Sequence, residues 1–188
     1  MAQAKAFTPA KLIVGLIAGE ASVFEKTESV LVYLYGPADL RSPLFPFDLT
    51  DYYEEQMGRD LRRLFLSFAK LVPPDELGPI KVRTNALEEE IGRVYPARRR
   101  AVNIDPGILT ASALIMGTAK DFAHRVPLTQ GIYAHLELLF GKNQVRCLEW
   151  TYPDFRQQGY QDFFHDVRRL YLAQLSGIRG PGARGAGE

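Results

Sequence analysis

The first hydrophobic stretch of the chain, KLIVGLIAG at residues 11–19, is continuous and is closed by a glycine. A short apolar run of this kind is typical of a buried β-strand. Apolar residues then recur at helical spacing from Val23 to Leu34 and stop before Gly36 and Pro37. The pattern therefore predicts a strand followed by an amphipathic helix.

The middle of the chain predicts two strands, a helix and a third strand. These elements are an edge strand near residues 44–49, a strand at 61–72, a helix at 80–91 and a strand at 100–104. Pro43 and Pro46 place the first of these at an edge, because proline is unsuited to a central strand. Asp105 and Pro106 together predict a turn or cap that starts a short helix at residues 109–118.

The last part of the chain predicts three strands and a helix. The strands are at residues 125–128, 132–140 and 145–149, with a hairpin turn at 141–143. From residue 153 onward, large apolar residues recur three and four apart as far as Leu175. That spacing predicts a helix packed on a core. The Gly-rich residues 177–188 predict a disordered tail.

The order of the predicted elements favours an α+β fold. It begins β-α-β-β-α-β, which is the ferredoxin-like split pattern of an antiparallel sheet with two helices on one face. Further antiparallel strands and a C-terminal helix extend this start. The sequence thus predicts one domain over residues 1–176 and a tail over residues 177–188.

Composition narrows the class of protein. The chain has 188 residues, of which 46% are hydrophobic and 24% charged, with a net charge of +1. This balance predicts a globular domain and argues against a protein that binds nucleic acid mainly through its net charge. The apolar stretch at residues 12–18 is too short to cross a membrane. A single cysteine, Cys147, excludes an intramolecular disulfide and indicates a cytoplasmic protein.

Three polar clusters are candidate sites. In the first, Arg41 can bind an anion through its guanidinium, and Asp51 can bind a ligand or a hard cation. The ring of Tyr52 can stack on a ligand. This segment also fits a Pro-rich loop whose acids cap turns. In the second, Asn103 and Asp105 lie two residues apart, so both face one side of a strand. They can hold a ribose, a metal or a reacting hydroxyl, or else cap the predicted helix.

The third cluster contains Lys120, His124 and Arg125. The two cations can hold an anionic ligand, and the imidazole can act as an acid or base near neutral pH. The same residues also fit a solvated loop with weak surface ion pairs. Further along, Trp150 can stack on a base or sugar, or can cover the end of the last helix.

Standard catalytic motifs are absent from the sequence. It lacks the G-x-x-x-x-G-K-[ST] pattern, and no G-x-G-x-x-G phosphate-binding pattern follows a predicted strand. It also lacks H-E-x-x-H and G-x-S-x-G. The residues therefore identify no cofactor and no set of metal ligands, and whether the protein is an enzyme stays open.

Four long stretches carry a family resemblance. They are DLRSPLFPFDLTDYYEEQMG, RRRAVNIDPG, KDFAHRVPL followed two residues later by GIYAHLEL, and WTYPDFR. In order and spacing they resemble the uncharacterised prokaryotic family called domain of unknown function 4416. The resemblance extends from about Lys11 to Ser176 and implies a single domain. It implies no mechanism, because that family has no activity to carry over.

These observations favour a small-molecule-binding domain, with or without catalysis, for an anionic ligand such as a nucleotide or phosphorylated metabolite. Arg41, Lys120 and Arg125 are assigned to the anion, and Asp105 and His124 to acid or base roles. The alternatives are a protein- or RNA-binding module without catalysis, and a structural homo-oligomer. The sequence leaves the oligomeric state open.

Overall fold

The structure is a computed structural model that describes residues 3–142 and 144–179. Its strands are β1 (Ala10–Ala18), β2 (Ala38–Arg41), β3 (Phe45–Pro46), β4 (Arg62–Val72), β5 (Val102–Leu109), β6 (Ala113–Thr118), β7 (Val126–Thr129), β8 (Ile132–Phe140) and β9 (Val145–Cys147). Its α-helices are α1 (Ala21–Tyr35), α2 (Glu54–Met57), α3 (Leu77–Val94) and α4 (Gln158–Arg179). Short 3-10 turns precede α3 and α4.

The nine strands form one antiparallel sheet in the order β2-β4-β1-β5-β6-β8-β7. The short strands β3 and β9 pair with β4 and β8. The first four strands along this path have the order of a ferredoxin-like sheet, and the remaining strands extend it from β5. The α+β fold with its ferredoxin-like start is therefore confirmed.

Helices cover both faces of the sheet. On one face, Leu12, Val14 and Leu16 of β1 pack with α1 and α3. On the other face, Ile13 of β1 and Phe65 of β4 pack under the aromatic side of α4. The continuous apolar sequence of β1 follows from this arrangement, because both of its faces are buried.

One predicted turn and one predicted helix are wrong. Asp105 and Pro106 lie inside β5, and residues 113–118 form β6 instead of a helix. The Asp-Pro pair is a local signal for the start of a helix, but pairing of β5 with β1 across eight residues outweighs it. Helix α4 also extends through residues 177–179, which were predicted to belong to the tail.

Other predicted features fall at the limits of the described residues. Residues 180–188 of the predicted tail lie outside them, as does Asn143 of the predicted hairpin turn. The flanking strands β8 and β9 pair antiparallel, as a hairpin requires. Within the described part of the chain, no helix is both long and apolar enough for a membrane crossing.

Candidate functional site

A cavity of about 460 Å³ opens where β5 and β6 separate. The two strands pair only at Gly107–Leu109, whereas β6 continues to pair with β8 as far as Thr118. Side chains from the loop before α2, from β4, from α3 and from the turn before α4 complete the cavity wall. The site is therefore assembled from segments that are distant in sequence.

Pro106 explains why the two strands separate here. The backbone N–H of Ile104 donates to Glu88 Oε1 (2.7 Å), and its carbonyl accepts from Lys81 Nζ (2.7 Å). These groups therefore point away from β1, toward the side where β6 would pair. Backbone groups two residues apart point to the same side, so Pro106 lacks its donor on that side. Side chains of α3 therefore make the hydrogen bonds to Ile104 that a paired β6 would otherwise make.

Arg63 of β4 is the most buried cation of the cavity, with only 4% of its surface exposed. Its guanidinium donates to Asp105 Oδ2 (3.1 Å) and to Asp154 Oδ2 (3.2 Å). To reach Asp105 it crosses β1 at Gly15, where a Cβ atom would lie 2.8 Å from Arg63 Nη1. A glycine in the middle of a buried strand therefore permits this ion pair.

Lys81 of α3 is the second buried cation. Besides the Ile104 carbonyl, its ammonium group contacts Asp105 Oδ1 (3.4 Å) and Glu88 Oε1 (4.0 Å). Arg100 also pairs with Glu88 and donates to Asn103 Oδ1 (2.6 Å). Strands β4 and β5 and helix α3 are thus joined by one network of charges.

Three cations and three carboxylates balance one another in this network, and their pKa shifts follow from burial and pairing. Burial acts to raise the pKa of Asp105, but Lys81, Arg63 and a hydrogen bond from Asn103 outweigh it, so the pKa is lowered. Burial raises the pKa of Asp154 and that of Glu88 despite their cationic neighbours. Asp105 is therefore held ionised at neutral pH and serves as a hydrogen-bond acceptor.

The mouth of the cavity is formed by two exposed segments. One is the loop before α2, which contributes Tyr52 and Tyr53, and the other follows β6 and contributes Lys120. The Lys120 ammonium lies 3.8 Å from the centre of the Tyr52 ring, so a cation–π contact joins the segments. Lys120 forms no ion pair with any carboxylate of the described residues.

A cluster of rings, here called the rim cluster, borders the cavity beside Lys120. Its members are His124, Arg125, His135, Trp150 and Tyr152. The rings of His124 and Trp150 stack at 4.9 Å, and those of His135 and Tyr152 stack at 5.0 Å. Arg125 donates to Tyr152 Oη (2.6 Å) and to His135 Nδ1 (3.1 Å). Among these residues, His135 and Tyr152 also line the cavity.

The structure brings together most of the residues selected from the sequence. Four of them line the cavity: Tyr52, Asn103, Asp105 and Lys120. Three more belong to the rim cluster: His124, Arg125 and Trp150. His124 reaches the cavity only through His135, with 3.2 Å between His124 Nε2 and His135 Nδ1.

Two of the selected residues lie apart from the cavity. Arg41 is exposed at the end of β2 and pairs with Glu28 across 3.1 Å. Asp51 is exposed in the loop before α2, and its neighbour Tyr52 lines the cavity instead.

Sequence reasoning missed four buried ionisable residues of the site, namely Arg63, Lys81, Glu137 and Asp154. Arg63 lies in a segment with the apolar pattern of a strand, and Lys81 lies in a segment with the apolar pattern of a helix. A charged residue in such a segment is ordinarily assigned to the solvent-facing side, so the burial of these two side chains was not predicted. One signal was available for Arg63, because a lone glycine inside a buried strand marks a close approach by another group. Within the described residues, no group of three or more His, Cys, Asp or Glu side chains is arranged to hold a metal.

The lowered pKa of Asp105 leads to a prediction on stability against pH. Because the folded pKa lies below its ordinary value of 3.8, ionised Asp105 stabilises the fold above pH 3.8. This contribution is lost as the pH falls through the lowered pKa. We expect D105N to reduce the free energy of unfolding by about 1–3 kcal/mol at pH 7, because it weakens two charged contacts.

Urea unfolding at pH 7, 5 and 3 measures this effect. The difference between wild type and D105N should shrink at the lowest pH, while D75N, at an exposed position, should differ little from wild type at each pH. A D105N difference that is constant from pH 7 to pH 3 would contradict the assignment.

The fold and the cavity define an α+β protein with helices on both faces of an antiparallel sheet and an ionisable pocket at a gap between two strands. The chain belongs to the family described as a domain of unknown function (DUF4416), whose pattern matches residues 8–171. A search of the curated proteins and a search of the solved structures found no match.

Proposed function

We propose that the cavity between β5 and β6 binds an anionic small molecule, such as a nucleotide or a phosphorylated metabolite. The observation that carries this proposal is Lys120. It stands at the mouth of a cavity of about 460 Å³ and pairs with none of the carboxylates in the described part of the chain. A cation without a counter-charge at the entrance of a pocket favours an anionic ligand.

The charges inside the cavity support this choice. Arg63, Lys81 and Arg100 are each within ion-pair distance of a carboxylate, so their charges are already balanced. Lys120 adds a positive charge that the network does not balance. Arg125 supplies a further guanidinium close to the same segment, since its Nη1 donates to the Lys120 carbonyl (2.7 Å).

The walls of the cavity suit the rest of such a ligand. Tyr52, Tyr53 and Tyr152 provide ring surface on which a base or sugar can stack. Asp105 is ionised and partly exposed, with 26% of its side chain accessible, so it can accept hydrogen bonds from ligand hydroxyl groups. Asn103 contacts both Arg100 and Asp105 and thus orients this acceptor.

The assigned roles differ among the selected residues. We assign Lys120 and Arg125 to the anion, Asp105 to a hydroxyl of the ligand, and Tyr52 to stacking, whereas Trp150 stacks on His124 and does not line the cavity. If the protein is an enzyme, we assign Asp105 and His124 to the acid or base roles; the lowered pKa of Asp105 makes it a weak base, and His124 reaches the cavity through His135. A cytoplasmic location is part of this proposal, since it fits the single free thiol and a phosphorylated ligand.

The proposal is tested by thermal shift and calorimetry with purified protein. The probes are AMP, GMP, CMP, UMP, ribose 5-phosphate, glucose 6-phosphate and pyrophosphate. A probe present at about 100 times its Kd should stabilise the protein by about 2.7 kcal/mol. We expect K120A to weaken binding of the responding probe by about tenfold or more, because a charge-assisted contact is lost.

The matched control is K70A, which removes an exposed lysine on β4 that does not line the cavity. It should leave the affinity unchanged. Equal weakening by K120A and K70A would show only a general charge effect and would overturn the site. If no probe stabilises the wild type, the proposal is overturned in favour of a protein or RNA partner. Light scattering on the same sample tests the homo-oligomer alternative.

A further inference from the structure

The segment of residues 119–125 connects the cavity wall to the rim cluster. At its start, Lys120 contacts Tyr52 over the mouth of the cavity. At its end, Arg125 binds back to the Lys120 carbonyl (2.7 Å) and across to Tyr152 Oη (2.6 Å). The position of Lys120 therefore depends on how firmly Arg125 and His124 are held.

The hydrogen bonds of His135 fix where its proton lies. A guanidinium can only donate, so His135 Nδ1 accepts from Arg125 Nε (3.1 Å) and must be unprotonated. The ring then carries its proton on Nε2, which lies 2.8 Å from Glu137 Oε2. His124 Nε2 lies 3.2 Å from the same Nδ1, so it can form a hydrogen bond there only as the donor. Arg125 and His124 thus both contact the same unprotonated nitrogen of His135.

Protonation of this pair removes the two contacts that the segment makes with His135 Nδ1. A proton on His135 Nδ1 would turn the acceptor into a donor that faces two other donors. A proton on His124 would place a second positive charge beside Arg125. The carboxylate of Glu137 faces the opposite nitrogen of His135, so it provides no acceptor at Nδ1. Tyr152 already accepts from Arg125 and supplies no negative charge.

We propose that His124 and His135 form a pH-sensitive clasp, which holds segment 119–125 at neutral pH and releases it in mildly acidic solution. The pKa of His124 supports this direction, because burial lowers it, followed by the charges of His135 and Arg125. The closed form therefore takes up a proton less readily than the open form, whose imidazole has its ordinary pKa of 6.5. Closure is stable above pH 6.5 and is lost as the pH falls below it.

This regulation rests on the proposed ligand site, because it acts by moving Lys120 away from the mouth of the cavity. Acidification should then weaken the binding of an anion. The clasp itself can be measured in the ligand-free protein. Failure of the clasp therefore leaves the result of the probe panel unaffected, and failure of the probe panel leaves the clasp measurable.

Trp150 provides the test, because it is the only tryptophan and its ring stacks on His124. It is 37% exposed in the closed form. We would measure quenching of its fluorescence by acrylamide in the ligand-free, full-length protein as the pH falls from 7.5 to 5.0. The expected result is a rise of about twofold in the quenching constant, with a midpoint below 6.5. Far-UV circular dichroism should stay constant over this range.

Three variants make the test specific. H124Q, at a half-buried position, should show no dependence of quenching on pH, and H135Q should show a reduced one. H165Q is the matched control, because His165 is exposed on α4, and it should behave like the wild type. The proposal is overturned if wild-type quenching is constant or falls at low pH, as attraction of a charged imidazole to Trp150 would produce. It is also overturned if H124Q retains the full rise, or if the circular dichroism signal is lost at the same midpoint.

Discussion

Replacing Arg63 with methionine should lower the free energy of unfolding by about 3–5 kcal/mol, the largest single effect we expect. The substitution keeps an unbranched apolar stem but removes the guanidinium and its charge. Asp105 and Asp154 would then lose the guanidinium that lies 3.1 and 3.2 Å from their carboxylates. Two carboxylates would be left close together in a buried region without their shared cation.

Arg62 offers a matched control one residue away. It is exposed on the same strand, and the described residues include no ion-pair partner for it. R62M should therefore change the stability by no more than about 0.5 kcal/mol. Urea unfolding at pH 7, followed by circular dichroism, measures both variants. The pair R63M/D154N should recover part of the loss, because one uncompensated carboxylate is removed.

The outcome distinguishes a buried ion pair from an apolar contact. Arg63 also lies over the rings of Phe47, Phe65 and Phe155, at 5.2 to 5.8 Å from their centres. A methionine can retain much of this packing. If R63M is as stable as R62M, the packing rather than the charge holds this part of the fold, and the electrostatic account is wrong.

The second large effect is expected for Lys81. K81M should lower the free energy of unfolding by about 2–4 kcal/mol, because the Ile104 carbonyl loses a buried donor and two carboxylates lose a cation. Lys81 is 5% exposed and its ammonium lies 2.7 Å from that carbonyl oxygen. Since this contact replaces strand pairing at the gap, the loss should also loosen β5 against α3.

The pH dependence of K81M identifies the groups involved. Burial already raises the pKa of Glu88, and Lys81 opposes that rise. Without Lys81 the pKa of Glu88 should rise further, so that protonation relieves the cost as the pH falls. The difference between wild type and K81M should therefore be smaller at pH 5 than at pH 7.

R83M is the matched control on the same helix. Arg83 pairs with Glu90 at 2.8 Å, but both side chains are nearly half exposed. Its replacement should cost no more than about 1 kcal/mol, as is usual for surface ion pairs. Equal losses for K81M and R83M would mean that the buried position of Lys81 confers no special stability.

Local patterns were sufficient to predict the elements in which the side-chain period is strong. β1, β4 and β8 and the helices α3 and α4 all follow from the spacing of apolar residues. The segment that became β6 was predicted as a helix, because an Asp-Pro pair, which is typical of a helix start, precedes Leu109–Thr118. Pairing with β8 along all of β6 gave the strand more stabilisation than local propensity gave the helix.

The candidate site was partly accessible to the same reasoning. Asn103 and Asp105 were found because strand geometry places residues two apart on one face. Arg63 and Lys81 were not found, because the residues that they neutralise lie far away in sequence. Arg63 and Asp105 are 42 positions apart, and Lys81 and Asp105 are 24 apart. No periodicity along the chain connects such pairs.

The sequence by itself determined which segments are buried strands and amphipathic helices, and which polar residues stand beside them. Only the tertiary structure decided which of those residues meet. It placed Lys120 and Asp105 on one cavity, set Arg41 at a separate edge, and made His124 a partner of His135. The reason is physical: short-range spacing governs the direction of each side chain, whereas strand order, the gap at Pro106 and the packing of α3 govern its neighbours.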